Sequence, residues 1–287
     1  MYDDGGVSGG AVPALGGVKK RINFEGLIPL ILFVIIAVAA LNYFGIIDLP
    51  FLPSENKRAQ VLVIGEPSLG ERVVLDNLQY MLSYRTRSAD TFSNASTEEL
   101  SQYDLIILDQ SNVADKSVSV ALGEAIQRYV NKGGRLIVVL NSGIYQSVGF
   151  EGYVASDVIG WKATFGDIVP AECVAGHNGV PTCSESSEEM VIGRVWQQDY
   201  DHPIMMGIEV APPIGGAPIA MRVLPVNSTE GARTIAYIKA ENTPKNYSAI
   251  LEKRNFSWSL PFGTVVYFNY DPGLTQGIFK NTIFYLT

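Results

Sequence analysis

The chain has 287 residues, of which 47% are hydrophobic and 17% charged, and it carries a formal net charge of −8. That length accommodates one membrane segment plus one domain of moderate size. The acidic balance argues against a nucleic-acid partner, whose recognition leaves a basic footprint, and is read as serving solubility.

Met1 to Val18 is rich in glycine and has little to bury, so residues 1–22 read as a disordered cytoplasmic tail ending in Lys19-Lys20-Arg21. Leu27–Ile47 then runs 21 residues without a charge. As a helix this spans about 30 Å, the thickness of a bilayer core. A transmembrane helix is expected over residues 23–47. A cleaved signal peptide competes, with Ala37-Val38-Ala39 as its site, and so does a prepilin-like leader cut near Gly26. The apolar run continues well past Ala39, which favours an uncleaved anchor. The basic residues on its amino-terminal side favour a cytoplasmic amino terminus and an extracellular carboxy-terminal domain.

Residues 48–58 hold Leu49-Pro50-Phe51-Leu52-Pro53 and read as a stiff linker. The domain is expected over residues 59–287. Ala59–Gly65 is a first buried strand, and Glu71 to Tyr84 has helical spacing through Val74, Leu75, Leu78 and Leu82. Thr86 to Phe92 reads as a second strand, and Ser96 opens a short capped helix. Tyr103 to Asp109 is a third strand. A helix follows over Ser117 to Asn131. Gly133-Gly134 then feeds the five apolar residues Leu136 to Leu140. Short, wholly apolar runs of this kind are strands covered on both faces. The alternation predicts an α/β fold, a doubly wound and mostly parallel flavodoxin-like sheet preceded by one transmembrane helix. Residues 151–198 are polar and irregular and read as an insertion. Strand-like runs return at Ala220 to Pro225, Thr234 to Lys239, Ser248 to Lys253 and Gly263 to Tyr270, before a helical Thr275 to Leu286.

The two cysteines, Cys173 and Cys183, close a short polar loop and suit a disulfide in an oxidising compartment. A zinc site would add only His177 as a third ligand, so no metal is expected. The sequons at Asn94, Asn227, Asn246 and Asn255 all follow the anchor and are candidate glycosylation sites, which agrees with an external domain. No cofactor motif is found, and no cofactor is expected.

Ligands of such sheets sit past the carboxyl ends of the strands. That address selects Glu66, Ser68, Asp109, Asn141, Ser142, Asn269 and Asp271 as crevice or binding candidates. The order of four motifs resembles the class I glutamine amidotransferase-like superfamily, particularly its ThuA-like and GIFT-type branches. They are Val61 to Ile64, Tyr129 to Gly134, His202-Pro203-Ile204-Met205-Met206-Gly207, and Gly263 to Asp271 before a terminal helix. The resemblance spans residues 59 to 287. It implies a Gly-x-Cys-x-Gly elbow after the organising strand and a His-x-Glu pair after the last one. Here the elbow reads Leu140-Asn141-Ser142-Gly143-Ile144, and the pair falls on Asn269 and Asp271. Serine needs a base, and asparagine is none. No catalytic residue is therefore expected; a hydrolase would use Ser142 with His202 as base and Asp109, Asp199 or Asp201 as orienter. His202 reads more simply as a turn histidine shaped by Pro203 and Gly207.

The expected function is a non-catalytic, membrane-anchored extracytoplasmic binding or scaffold domain, a subunit of a surface or membrane complex. Its partners would be lipid along Leu27–Ile47 and other membrane or cell-surface proteins. The alternative is a surface serine hydrolase using Ser142.

Overall fold

The computed structural model describes residues 24–43, 58–92, 96–147, 158–174, 183–255 and 263–287. The chain divides into two units, Met1–Lys57 and Arg58–Thr287. In the first, Phe24–Tyr43 forms helix α1. Its side chains are described over residues 29–39 and at Leu41, and residues 29 to 36 are all exposed. Leu30, Phe33 and Ile36 are among them. Among the described residues no helix is long and apolar enough to cross a membrane.

In the second unit the chain runs β1 (Ala59–Gly65), α2 (Leu69–Asn77), β2 (Leu82–Arg87), α3 (Thr97–Leu100), β3 (Leu105–Asp109), β4 (Ser117–Ser119), α4 (Val120–Asn131), β5 (Arg135–Val139), β6 (Tyr145–Ser147), β7 (Val158–Ile159), α5 (Trp161–Phe165) and β8 (Ala171–Cys173). It continues through β9 (Glu189–Gln197), β10 (Val210–Ala211), β11 (Ile219–Val223), β12 (Val226–Ser228), β13 (Arg233–Ala240), β14 (Asn246–Asn255), β15 (Gly263–Phe268) and α6 (Gln276–Leu286).

One sheet of ten strands runs β10-β9-β13-β14-β15-β5-β3-β1-β2, with β11 also paired to β9. Its β2-β1-β3-β5-β15 half is parallel throughout. Read in chain order, that is the strand order 2-1-3-4-5 of doubly wound flavodoxin-like sheets. β14, β13, β9, β10 and β11 extend it antiparallel. The expected parallel sheet therefore accounts for half of the strands. The reason lies in the connections: β13 to β14 and β14 to β15 are too short to hold the crossover that parallel neighbours require.

The apolar strands are buried because both faces of the parallel half are covered. Val61 and Val63 of β1 face one core with Leu75 and Leu78 beside α2 and Ile278, Phe279 and Ile283 of α6. Leu62 and Ile64 face the other, with Leu100, Leu122, Ile126 and Trp161. The alternation along β1 thus assigns successive residues to opposite cores.

Several boundaries differ from the sequence expectation. α2 ends at Asn77, and β2 occupies Leu82–Arg87 where the helical spacing appeared to continue. Ser117–Ser119 is a strand, and Ser119 caps α4 by accepting from the Leu122 amide at 3.2 Å. The segment expected as an insertion contributes β9, which lies inside the sheet between β13 and β10. Met190 and Ile192 point outward on β9, exposed at 61% and 43%, and this blurred its alternating pattern. Cys173 and Cys183 stand at disulfide distance, their Cα atoms 5.3 Å apart. His177 and Asn94 lie outside the described residues.

One close backbone approach in the parallel half lies at its carboxyl edge. Gly65 pairs with Asp109 across β1 and β3, and a Cβ on Gly65 would stand 1.9 Å from the Asp109 carbonyl oxygen. Its φ of +113° is also closed to other residues. Gly65→Ala is expected to cost about 1–3 kcal/mol for the dihedral alone, with the clash adding to it. Urea unfolding of the full chain measures this, and an unchanged midpoint would contradict the close approach.

Candidate functional site

β1 hands the chain to α2 on one face of the sheet, and β3 hands it to α4 on the other. The carboxyl ends of β1 and β3 therefore diverge at a topological switch point, where open α/β sheets bind ligands. A crevice of about 770 Å³ opens there. Its walls include Glu66 after β1, Thr86 near the end of β2 and Ser88 after it, Gln110 after β3, and Ser119 at the start of α4. Asp90 and Asp115 add carboxylates and Arg72 a cation, which pairs with Glu66 at 3.2 Å. The lining is rich in hydroxyls with an excess of acid, so it disfavours anionic ligands.

β5 leaves the sheet through a sharp turn. The residue directly after the strand with a positive φ, 49°, is Leu140. A nucleophile elbow places its reactive residue on that kind of sharp turn. Here the turn presents a fully buried leucine whose side chain joins the α2–α6 core. The positive φ thus falls two residues before Ser142, on a residue with no glycine signature.

Ser142 is buried and its oxygens are engaged. Its Oγ accepts from the Gln110 amide at 2.7 Å, and its carbonyl accepts from Trp161 Nε1 at 2.9 Å. Gly143 in turn donates to Gln110 Oε1 at 2.8 Å. The segment after β5 is thereby fastened to the segment after β3. Asn141 donates to Glu188 at 2.8 Å, and Glu188 lies 3.6 Å from Arg222.

Asn269 is fully buried and uses its whole amide. Oδ1 accepts from the Leu224 amide at 3.0 Å and from the Tyr267 hydroxyl at 3.1 Å. Nδ2 donates to the Leu224 and Ser248 carbonyls, both at 2.9 Å. Two donors and two acceptors are what an amide side chain offers. Asp271 does different work: its Oδ1 accepts from Ser68 Oγ and from the Gly273 amide, both at 2.8 Å. Ser68 caps α2 and forms a capping box with Glu71.

His202 lies on another part of the sheet. Its Nδ1 accepts from the Ile204 amide at 3.3 Å, and its Nε2 faces Glu252 Oε2 at 3.2 Å. Tyr285 also donates to Glu252 and packs edge-on against His202, ring centroids 5.0 Å apart. Burial pushes the Glu252 carboxyl up, but hydrogen bonds from His202 and Tyr285 outweigh it and hold the group below its ordinary value. With both ring nitrogens engaged, His202 serves no serine as a base. The Ser142, His202 and Asp109 set is not assembled.

Asp109 does not line the crevice. It is buried behind it, beside Glu71, a residue the sequence reading passed over. Burial and the neighbouring Asp109 charge hold Glu71 well above the ordinary carboxyl value, and burial raises Asp109 as well. Glu71 occupies the first turn of a helix, where a carboxylate ordinarily means capping; its burial is a tertiary fact. Lys116 is also buried, donating to the carbonyls of Gln110 at 2.8 Å and Val113 at 2.5 Å. Among the described residues no group of three or more histidine, cysteine or acidic side chains could hold a metal ion. Of the sequon asparagines, Asn227 and Asn246 are exposed, and Asn255 is half-buried and donates to the Ile168 carbonyl.

No family model and no curated protein matches the chain. Solved structures resemble it distantly. A cytoplasmic protein from Salmonella typhimurium is 15% identical with a TM-score of 0.48, the match covering 78% of this chain and 98% of that one. The β-galactosidase from Rahnella sp. R3 is 15% identical with a TM-score of 0.45, covering 80% of this chain and 31% of that one. The amino-terminal domain of IFT52 is 10% identical with a TM-score of 0.45, covering 79% and 97%. At these values the likeness carries no argument about what the chain binds or does.

The two buried side chains at the strand exits differ in how many groups depend on them. Asn269→Ala leaves four groups unpartnered and is expected to cost about 3 kcal/mol or more, since each such loss costs about 1–3 kcal/mol in full. Ser142→Ala strands the Gln110 amide alone and should cost about 1–2 kcal/mol. Chemical denaturation of the two variants checks the ranking; equal costs would contradict it.

Proposed function

We propose that this chain is a non-catalytic binding or scaffold module of the class I amidotransferase-like type, held at a membrane by the segment around α1. The observation that carries the reading is Leu140, an apolar and buried side chain on the turn that would present a nucleophile. Ser142, whose Oγ accepts from the Gln110 amide, and Asn269, whose amide is fully bonded, support it. A nucleophile without a base, and a base position held by a saturated amide, leave no route to acyl transfer.

What remains at the functional address is the crevice between the ends of β1 and β3. Its hydroxyls and excess carboxylates suit a neutral polyhydroxyl ligand or a basic segment of a partner protein better than an anion. The membrane role rests on the charge-free run Leu27–Ile47 and on the apolar side chains that α1 exposes over residues 29 to 36. A helix that is apolar all round needs lipid or another helix to cover it. The basic flank, the sequons and the cysteine pair support an external domain, with surface or membrane proteins as partners.

Two measurements test this. Protease added to intact cells is expected to remove the domain and spare the anchor; full protection would contradict the external placement. A fluorophosphonate probe is expected to leave the protein unlabelled. Stoichiometric labelling at Ser142, lost in both Ser142→Ala and His202→Ala, would replace the binding module with the hydrolase.

A further inference from the structure

Behind the crevice, three strand exits meet. Ser68 and Glu71 follow β1, Asp109 ends β3, and Asp271 and Gly273 follow β15. Gly273 packs so closely that a Cβ would stand 2.2 Å from Ser68 Oγ. Glu71 and Asp109 are both fully buried. One oxygen of each has a defined donor: Glu71 Oε2 accepts from the Ser68 amide at 2.7 Å, and Asp109 Oδ1 accepts from the Ser111 amide at 2.8 Å. The other two oxygens, Glu71 Oε1 and Asp109 Oδ2, are buried and have no donor among the described residues. Each carboxyl acts on the other as a close neighbour, and the Asp109 charge pushes Glu71 further up than burial alone. Two acceptors cannot bond without a hydrogen between them, and two buried carboxylates in contact repel strongly.

We infer that Glu71 and Asp109 bind a single proton between them, and that this proton latches the start of α2 onto the exit of β3. One carboxyl is then an acid donating to the other, which closes both open valences. The latch is independent of what the crevice binds, but it bears on the crevice wall. The Asp109 carbonyl accepts from the Glu66 amide at 2.7 Å, so the proton-sharing residue and the wall are joined through one backbone bond.

The charged groups acting on the pair are the two carboxyls themselves and Asp271 on the turn after β15. The neighbouring Tyr270 hydroxyl is committed to Thr275 Oγ1 at 2.7 Å. All of these carboxylates favour retention of the proton. A group held above its unfolded value stabilises the fold fully below the unfolded pKa, and that contribution is lost as pH rises through the folded value. The latch should therefore be complete on the acid side of the ordinary carboxyl value of 4.5 and weaken towards alkaline pH.

Thermal unfolding of the full-length protein in mild detergent, from pH 5 to 8, tests this against Glu71→Gln. The glutamine amide keeps an acceptor for Ser68 and supplies a permanent hydrogen to Asp109. Relative to this variant, the wild-type midpoint should fall by about 3–5 °C for each pH unit across the titration window. Asp109→Asn supplies the hydrogen from the other side and should behave alike, which keeps the test intact if one variant does not fold. A wild-type-to-variant gap that does not change with pH would overturn the shared proton. So would a wild-type midpoint raised by Mg²⁺ or Ca²⁺ and unaffected in Glu71→Gln, because the pair would then hold a cation.

Discussion

The amide of Asn269 joins the two halves of the sheet. It leaves the end of β15, the last parallel strand, and bonds Ser248 on the antiparallel β14 and Leu224 after β11. The β14–β15 ladder already joins the halves, and this amide reinforces the seam between two parts that are held differently. The parallel half is covered on both faces and held by apolar burial. The antiparallel half alternates, keeping Val191 and Val195 inward and Met190 and Ile192 outward. Four hydrogen bonds around a fully buried side chain are worth more than the same bonds at the surface, since each would leave a buried group unpaired if broken.

The same economy governs the other strand exits. Ser142 ties the β5 exit to the β3 exit through Gln110, and Ser68, Glu71, Asp109 and Asp271 tie the exits of β1, β3 and β15. Polar residues stand where an α/β enzyme would keep its machinery, but they are spent on one another. The crevice beside Glu66 and Gln110 stays open to solvent. That division underlies the proposal that the chain binds rather than catalyses.

Much of this architecture was legible in the residues. β1 and β5 declare themselves as unbroken apolar runs, and β1 begins and ends at Ala59 and Gly65 as its composition requires. β9 was hidden because Met190 and Ile192 put apolar side chains on its solvent side. The family pattern after β5 points to Ser142, whereas the positive φ at Leu140 belongs to the backbone and leaves no trace in the sequence. Glu71 was passed over because a carboxylate in a first helical turn has a sufficient local explanation. Its contact with Asp109 spans 38 positions and exists only once β1 and β3 are paired.

The central claim is that the strand exits are fastened rather than poised, and amide hydrogen exchange reads it residue by residue. The amides of Gln110 and Gly143, bonded to Ser142 Oγ and Gln110 Oε1, lie outside regular strands and would ordinarily exchange as loop amides. The account predicts that both are protected nearly as strongly as Ile107 and Val138 in the strands beside them, opening only with the domain as a whole. Exchange of Gln110 and Gly143 orders of magnitude faster than those strand amides would mean that the loop after β5 moves freely, and the account would fail.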